Sequence, residues 1–163
     1  MNSQILAVKH AQTVIDNVAT AITLISADLL AHSVQIGDMI MIRLFGTLNT
    51  KSSAAGNLTF TVNLGSTALI THTLTPGNGL SGTDVELDAL LIVDAKGASG
   101  KVFGVLKTES GTAAVDKATQ VAVASAVSVD LSATGTLSVK AQFATADAAN
   151  ELYVEGGCIE VIS

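Results

Sequence analysis

Gly37-Asp38-Met39-Ile40-Met41-Ile42-Arg43-Leu44-Phe45 and, after a polar loop, Leu58-Thr59-Phe60-Thr61-Val62-Asn63-Leu64 are the two stretches on which the fold turns. In the second, large apolar residues alternate strictly with Thr and Asn. A period of two places successive side chains on opposite faces of extended backbone, so the segment reads as a half-buried strand. The first is apolar at nearly every position from Met39 to Phe45 and reads as a strand covered on both sides. Gly65-Ser66 follows Leu64 directly, and Thr67 to Thr75 resumes the extended texture. A two-residue link that begins with Gly predicts a hairpin, with the two segments paired antiparallel.

The same texture continues in both directions. Upstream, Val14, Val18, Ile22 and Leu24 fit neither period well, but the Val and Thr content predicts strand over Gln12 to Ile25. Asp28 to Asp38 reads as a turn into the apolar run. Residues 1–11 carry no pattern and are expected to form an N-terminal arm that orders only against a neighbour, leaving 12–163 as one domain. Downstream, Pro76 to Gly82 breaks the sheet. Val85, Leu87, Ala89, Leu91 and Val93 then share a face, Lys96 to Gly100 turns the chain, and Lys101 to Thr108 forms the next strand. Val127, Val129 and Leu131, then Leu137, Val139, Ala141 and Phe143, continue the alternation. Leu152 to Ile162 closes it, with Gly156-Gly157 as a bulge. Ala113 to Ala126 is the one Ala-rich window with helical content, and Val121, Val123 and Val127 argue for strand there too. Eight or nine strands without a useful amphipathic helix predict an all-β chain, an antiparallel two-sheet β-sandwich of the jelly-roll form.

Composition narrows the function. The 163 residues suit one core, and 48% hydrophobic against 13% charged residues excludes a disordered chain. The net charge is -6, and the eight basic residues are scattered singly, so no stripe matches a phosphate backbone and no nucleic-acid partner is expected. No apolar run approaches bilayer length, and the N-terminus lacks the basic-then-apolar order of a signal peptide. Neither a membrane partner nor export is expected. Sparse charge with a mean hydropathy of +0.53 implies that other subunits or a partner cover part of the surface. Cys158, alone in the sequence, reads as a small buried strand residue.

Candidate chemistry is thin. Gly77-Asn78-Gly79-Leu80-Ser81-Gly82 matches a dinucleotide fingerprint letter for letter, but that motif needs a helix to follow, and Thr83 onward reads as strand. Gly100-Lys101 resembles part of a phosphate loop, yet Ala95 stands at the leading Gly position and Val102 at the hydroxyl position. Asp84, Glu86 and Asp88 share one face of a strand and are weak candidates for a Ca²⁺ site, lacking the dense loop spacing of dedicated ones. His10, His32 and His72 lie far apart, without a Cys or Glu at zinc spacing. His72 with a carboxylate would be the core of any catalytic site, but no strained nucleophile turn accompanies it. The four Phe lie in strand-like runs, where core packing is their expected role, and with no Trp and one Tyr the stacking platforms of sugar-binding sandwiches are scarce. No cofactor, metal or catalytic residue is expected.

The run from Leu29 to Leu69 resembles the jelly-roll modules in structural proteins of tailed bacteriophages. There a Gly-Asp turn enters a strand ending in Gly, and an alternating strand ends in Leu-Gly before a hairpin. Gly37, Asp38, Arg43, Gly46, Leu58, Phe60, Val62, Leu64 and Gly65 carry the match, which covers about forty residues. The resemblance implies a virion protein, assembled in the host cytoplasm: a head decoration or cement protein, or a fibre component. It implies a homotrimer whose partners are the major capsid protein or other virion subunits. Lacking a heptad stalk or a collagen-like shaft, the chain fits a compact decoration subunit better than a fibre. The alternative is a receptor- or carbohydrate-binding module of a tail or head fibre. Partner contacts are expected from Met1, Asn2, Ser3, Gln4, Ile5 and Leu6 of the arm, and from Lys51 and Asn78 in the loops Asn49–Asn57 and Pro76–Thr83.

Overall fold

The computed structural model describes residues 2–16, 18–53, 55–111 and 118–163. Among these every regular element is a strand. They are β1 (Ser3–Lys9), β2 (Thr13–Asp16), β3 (Ile22–Leu29), β4 (Met39–Asn49), β5 (Leu58–Leu64), β6 (Thr67–Leu74), β7 (Thr83–Ala95), β8 (Gly100–Ser110), β9 (Ala118–Val129), β10 (Gly135–Phe143) and β11 (Glu151–Ile162).

They form two antiparallel sheets. The larger runs β1-β11-β4-β7-β8-β9, with β2 also on β11, and the smaller runs β3-β10-β5-β6. The pairs β2–β11, β3–β10, β4–β7 and β5–β6 are nested, and successive pairs fall in alternate sheets. That is a two-stranded ribbon rolled into a sandwich, the jelly roll of the sequence reading. β8 and β9 extend the larger sheet beyond β7, while β1 and β2 share its other side along different halves of β11.

Alternation sets the core. Leu58, Phe60, Val62 and Leu64 of β5, Leu137, Val139, Ala141 and Phe143 of β10, and Val85, Leu87, Ala89, Leu91 and Val93 of β7 are all buried, in one cluster between the sheets. Each Val, Leu or Phe side chain among them, removed from water, contributes roughly 1.5–3 kcal/mol. The β5–β6 hairpin closes at Gly65-Ser66 with Leu64 opposite Thr67, and Gly65 has φ 58, a left-handed conformation that costs glycine little. Val154 and Gly156 flank a register shift, as the glycine pair predicted.

Four expectations differ. Ser3–Lys9 is not an arm awaiting a neighbour but strand β1, paired from Ser3 opposite Ile162 to Lys9 opposite Gly157. β4 is covered on one face by this chain and not on both: Ile40, Ile42, Leu44 and Leu48 point inward, whereas Arg43 and Phe45 are exposed and Met39 and Met41 half-covered. It also runs past Gly46 to Asn49. Only Phe60 and Phe143 are core residues, Phe45 and Phe103 being exposed, and Cys158 is half-buried. The Ala-rich window, by contrast, is strand from Ala118 as its valines argued, and its beginning, 113–117, lies outside the described residues.

Candidate functional site

Three loops meet at one end of the sandwich, around Thr50. Its backbone N–H donates to Leu80 O at 2.9 Å. Its hydroxyl donates to Gly77 O at 2.7 Å and accepts from Leu80 N at 2.9 Å. Beside it, Gly79 N donates to Lys51 O, and Lys51 N donates to the buried Asn150 carboxamide at 3.0 Å. Asn78 Oδ1 accepts from Ala55 N at 2.7 Å, and Asn49 Oδ1 from Gly82 N at 2.7 Å. The two loops that the sequence marks as separate contact segments are thus stitched into one surface, which brings Lys51 and Asn78 together. Lys51 Nζ donates to Asp147 Oδ2 at 2.7 Å, and that bond holds the Asp147 carboxyl below its usual pKa. Asn150 and Asp147, which complete the cluster, had no sequence signal, because only the return of β10 into β11 places them there.

Asn2 to Leu6 are elsewhere. Ser3 pairs opposite Ile162, which pairs opposite Met39 at the start of β4, whereas the loop cluster sits past Asn49 at its end. Ten residues of strand separate the two groups by roughly 30 Å. Gln4, Ile5 and Leu6 line a cleft of about 300 Å³ with Asp28, Leu30 and Ser33. The Ser3 hydroxyl donates to the Glu160 carboxylate. Met1 lies outside the described residues, as does Ala54 within the first loop.

The acidic row Asp84, Glu86 and Asp88 lies on the outer face of β7. Asp88 stands in register between Arg43 and Lys107, with Arg43 Nε 3.7 Å from its carboxylate, and Lys107 pairs with Glu109. Among the described residues no three His, Cys, Asp or Glu lie close enough together to hold a metal ion. The Gly77–Gly82 segment leads into β7, a strand, and not into a helix N-terminus. His72 sits between the sheets, its Nε2 3.0 Å from the Thr108 hydroxyl, and burial lowers its pKa. The void lined by Leu24, Leu44, Phe60 and Leu152 is about 10 Å³, too small for a ligand.

The two outer faces differ in chemistry. That of the smaller sheet presents Thr59, Thr61, Asn63, Thr71, Thr73, Lys140 and Gln142. That of the larger sheet presents Met41, Leu90, Val105 and Val123, opposite one another in a row across β4, β7, β8 and β9. A parallel row joins Ile162, Met39, Ile92 and Phe103. A groove of about 480 Å³ runs over Met39, Met41, Leu90 and Val105, with Arg43 and Lys107 at its margin. Composition pointed to a covered surface but did not place it here, since the same residues fit a strand sandwiched within one chain.

No protein-family model matches the chain, and no curated protein matches it. Among solved structures it is similar to the CBM2 module of the evolved Dit of Lactobacillus casei BL23 phage J-1, at 11% identity over 83% of this chain and 67% of that one, with a TM-score of 0.38. At that degree of likeness the fold rests on the strand order alone.

Proposed function

We propose that the chain is a non-enzymatic structural protein of a tailed-phage virion, a decoration or cement protein that binds the assembled head as a homotrimer and contacts the major capsid protein. One observation carries the reading. The stretch that bears the resemblance forms the Gly37-Asp38 turn, β4, β5 and the Gly65 turn in the order those modules have them, with Gly37 at φ 92 and Gly65 at φ 58.

The physics of such a role is additive. Several copies held on one symmetric particle convert modest contacts into strong retention through effective concentration. Binding only the assembled shell stabilises that shell by mass action. In this reading the loop end, with Lys51 and Asn78, faces the capsid. Asn2, Ser3, Gln4, Ile5 and Leu6 face a different subunit, because one flat contact does not span both groups.

The test is an inventory of purified particles whose genome encodes the chain, together with the native mass of the isolated protein. The chain in heads, at a copy number tied to capsid symmetry, with a trimer mass, is the expected result. Its absence from purified particles overturns the proposal, and its presence in tails with binding to a defined glycan replaces it with the receptor-binding alternative.

A further inference from the structure

Gly77-Asn78-Gly79-Leu80-Ser81-Gly82 leads into a strand and cradles no nucleotide, but it holds a reactive pair of another kind. The carboxamide carbon of an asparagine is open to attack by the backbone nitrogen of the next residue, and a side chain on that residue is the main obstacle. Asn78-Gly79 is the one pair in the sequence without it, since the other asparagines precede Ser3, Val18, Thr50, Leu58, Leu64 and Glu151. Asn78 and Gly79 are both exposed, so water reaches them. Both are nevertheless tied. Gly79 N donates to Lys51 O at 2.8 Å, and Asn78 Oδ1 accepts from Ala55 N at 2.7 Å. To either side, Gly77 O and Leu80 N are held by the Thr50 hydroxyl, and Leu80 O by the Thr50 N–H. The attacking nitrogen thus has its proton engaged while the carbon it would attack is anchored to another loop. Ring closure between them requires both bonds to be given up.

We propose that Asn78-Gly79 is a self-modification site, a deamidation site that the loop cluster holds closed and that loop opening releases. In the open loop Gly79 N gives its proton to solvent base and attacks Asn78 Cγ. The N–Cγ bond forms, the carboxamide nitrogen takes up a proton and leaves as ammonia, and a succinimide remains. Water then adds to either carbonyl of the ring and opens it, giving aspartate or isoaspartate. The net change is carboxamide plus water to carboxylate plus ammonia, with no oxidant and no cofactor. The product does not restore the closed loop. A negative charge replaces a neutral group, and the isoaspartate form adds a backbone methylene between residues 78 and 79, which displaces Gly79 N from Lys51 O. Local opening of a loop is ordinarily reversible and leaves no trace; here it leaves a permanent one, at the end of the sandwich that the reading above turns toward the capsid. The chemistry itself does not depend on that reading.

The experiment incubates the intact protein in mildly alkaline buffer and follows each asparagine by peptide mass spectrometry, in folded wild type, wild type unfolded in urea, Thr50→Val, and Asn78→Gln, whose longer side chain closes a ring far more slowly. Asn78 is expected to be the first asparagine converted in the unfolded chain, with folded wild type slower by about tenfold or more. Thr50→Val, which strands the backbone groups that the hydroxyl holds, is expected to react about fivefold or more faster than folded wild type. Asn78→Gln is expected to lose the early conversion. Should Thr50→Val fail to fold, wild type in urea short of global unfolding serves: amide exchange at Gly79 and conversion at Asn78 are expected to rise together. First conversion at another asparagine, or early conversion that persists in Asn78→Gln, overturns the site. Equal rates in folded and unfolded wild type overturn the restraint. Thr50→Val reacting no faster than wild type, or exchange and conversion that part company in urea, overturns the link to loop opening.

Discussion

His72 on β6 and Thr108 on β8 join the two sheets through a buried hydrogen bond of 3.0 Å. Burial holds the His72 pKa below its ordinary 6.5. The unfolded chain therefore binds a proton at a higher pH than the folded one. Stability from this group is complete above about pH 6.5 and falls as pH drops below that value toward the folded pKa. Urea midpoints taken between pH 7.5 and 5 should decline, and His72→Gln should flatten that part of the curve. An unchanged slope in the variant would remove His72 as its source. His72→Ala, which strands the Thr108 hydroxyl, is expected to cost about 1–3 kcal/mol at neutral pH.

Neighbouring positions on β5 should give opposite results. Phe60 is in the core and Thr61 on the polar outer face. Phe60→Ala is expected to lose about 3–5 kcal/mol and Thr61→Ala about 0.5 kcal/mol or less, by chemical denaturation. Equal losses would contradict the inward and outward assignment of this strand.

Gly46 is a point of close approach. A Cβ there would run into the carbonyl of Tyr153 on β11, which pairs alongside. Gly46→Ala should force the two strands apart and cost about 1–3 kcal/mol or more. Faster amide exchange along Leu152 to Val154 is the accompanying signature, and full protection there would count against the clash.

The Thr50 hydroxyl satisfies two backbone groups of the neighbouring loop, so the near-isosteric Thr50→Val should cost about 1–3 kcal/mol and open residues 76–82 to proteolysis. Lys51→Ala removes only an exposed ion pair, with an expected loss within about 1 kcal/mol. If the loop end faces the capsid, Lys51→Ala nevertheless lowers occupancy on heads, measured by band intensity on purified particles. Wild-type occupancy would argue that this end points elsewhere.

The parts of the fold legible beforehand are those where one strand's own alternation meets a buried face. β5, β7, β10 and the Gly65 turn follow from local pattern, because period and burial coincide there. β4 was misread because Met39, Met41 and Phe45 are apolar on its second face, and a sequence does not say whether its own chain or another covers that face. β1 carries no alternation of its own, and its pairing is dictated by β11, far along the chain. The loop cluster was half legible: turn residues placed Lys51 and Asn78 in loops, but their meeting depends on Asn150 and on strand pairs formed across a hundred residues.

β11 runs inside the larger sheet, with β1 and β2 along one side and β4 along the other. It is also translated after every strand that it joins. Until residues 151–162 emerge from the ribosome, β4 has an open edge and β1 and β2 have nothing to pair with, so the larger sheet stays split. Closure of the larger sheet thereby waits on residues 151–162, which makes a chain terminated before them a hazard for aggregation rather than a shorter working copy.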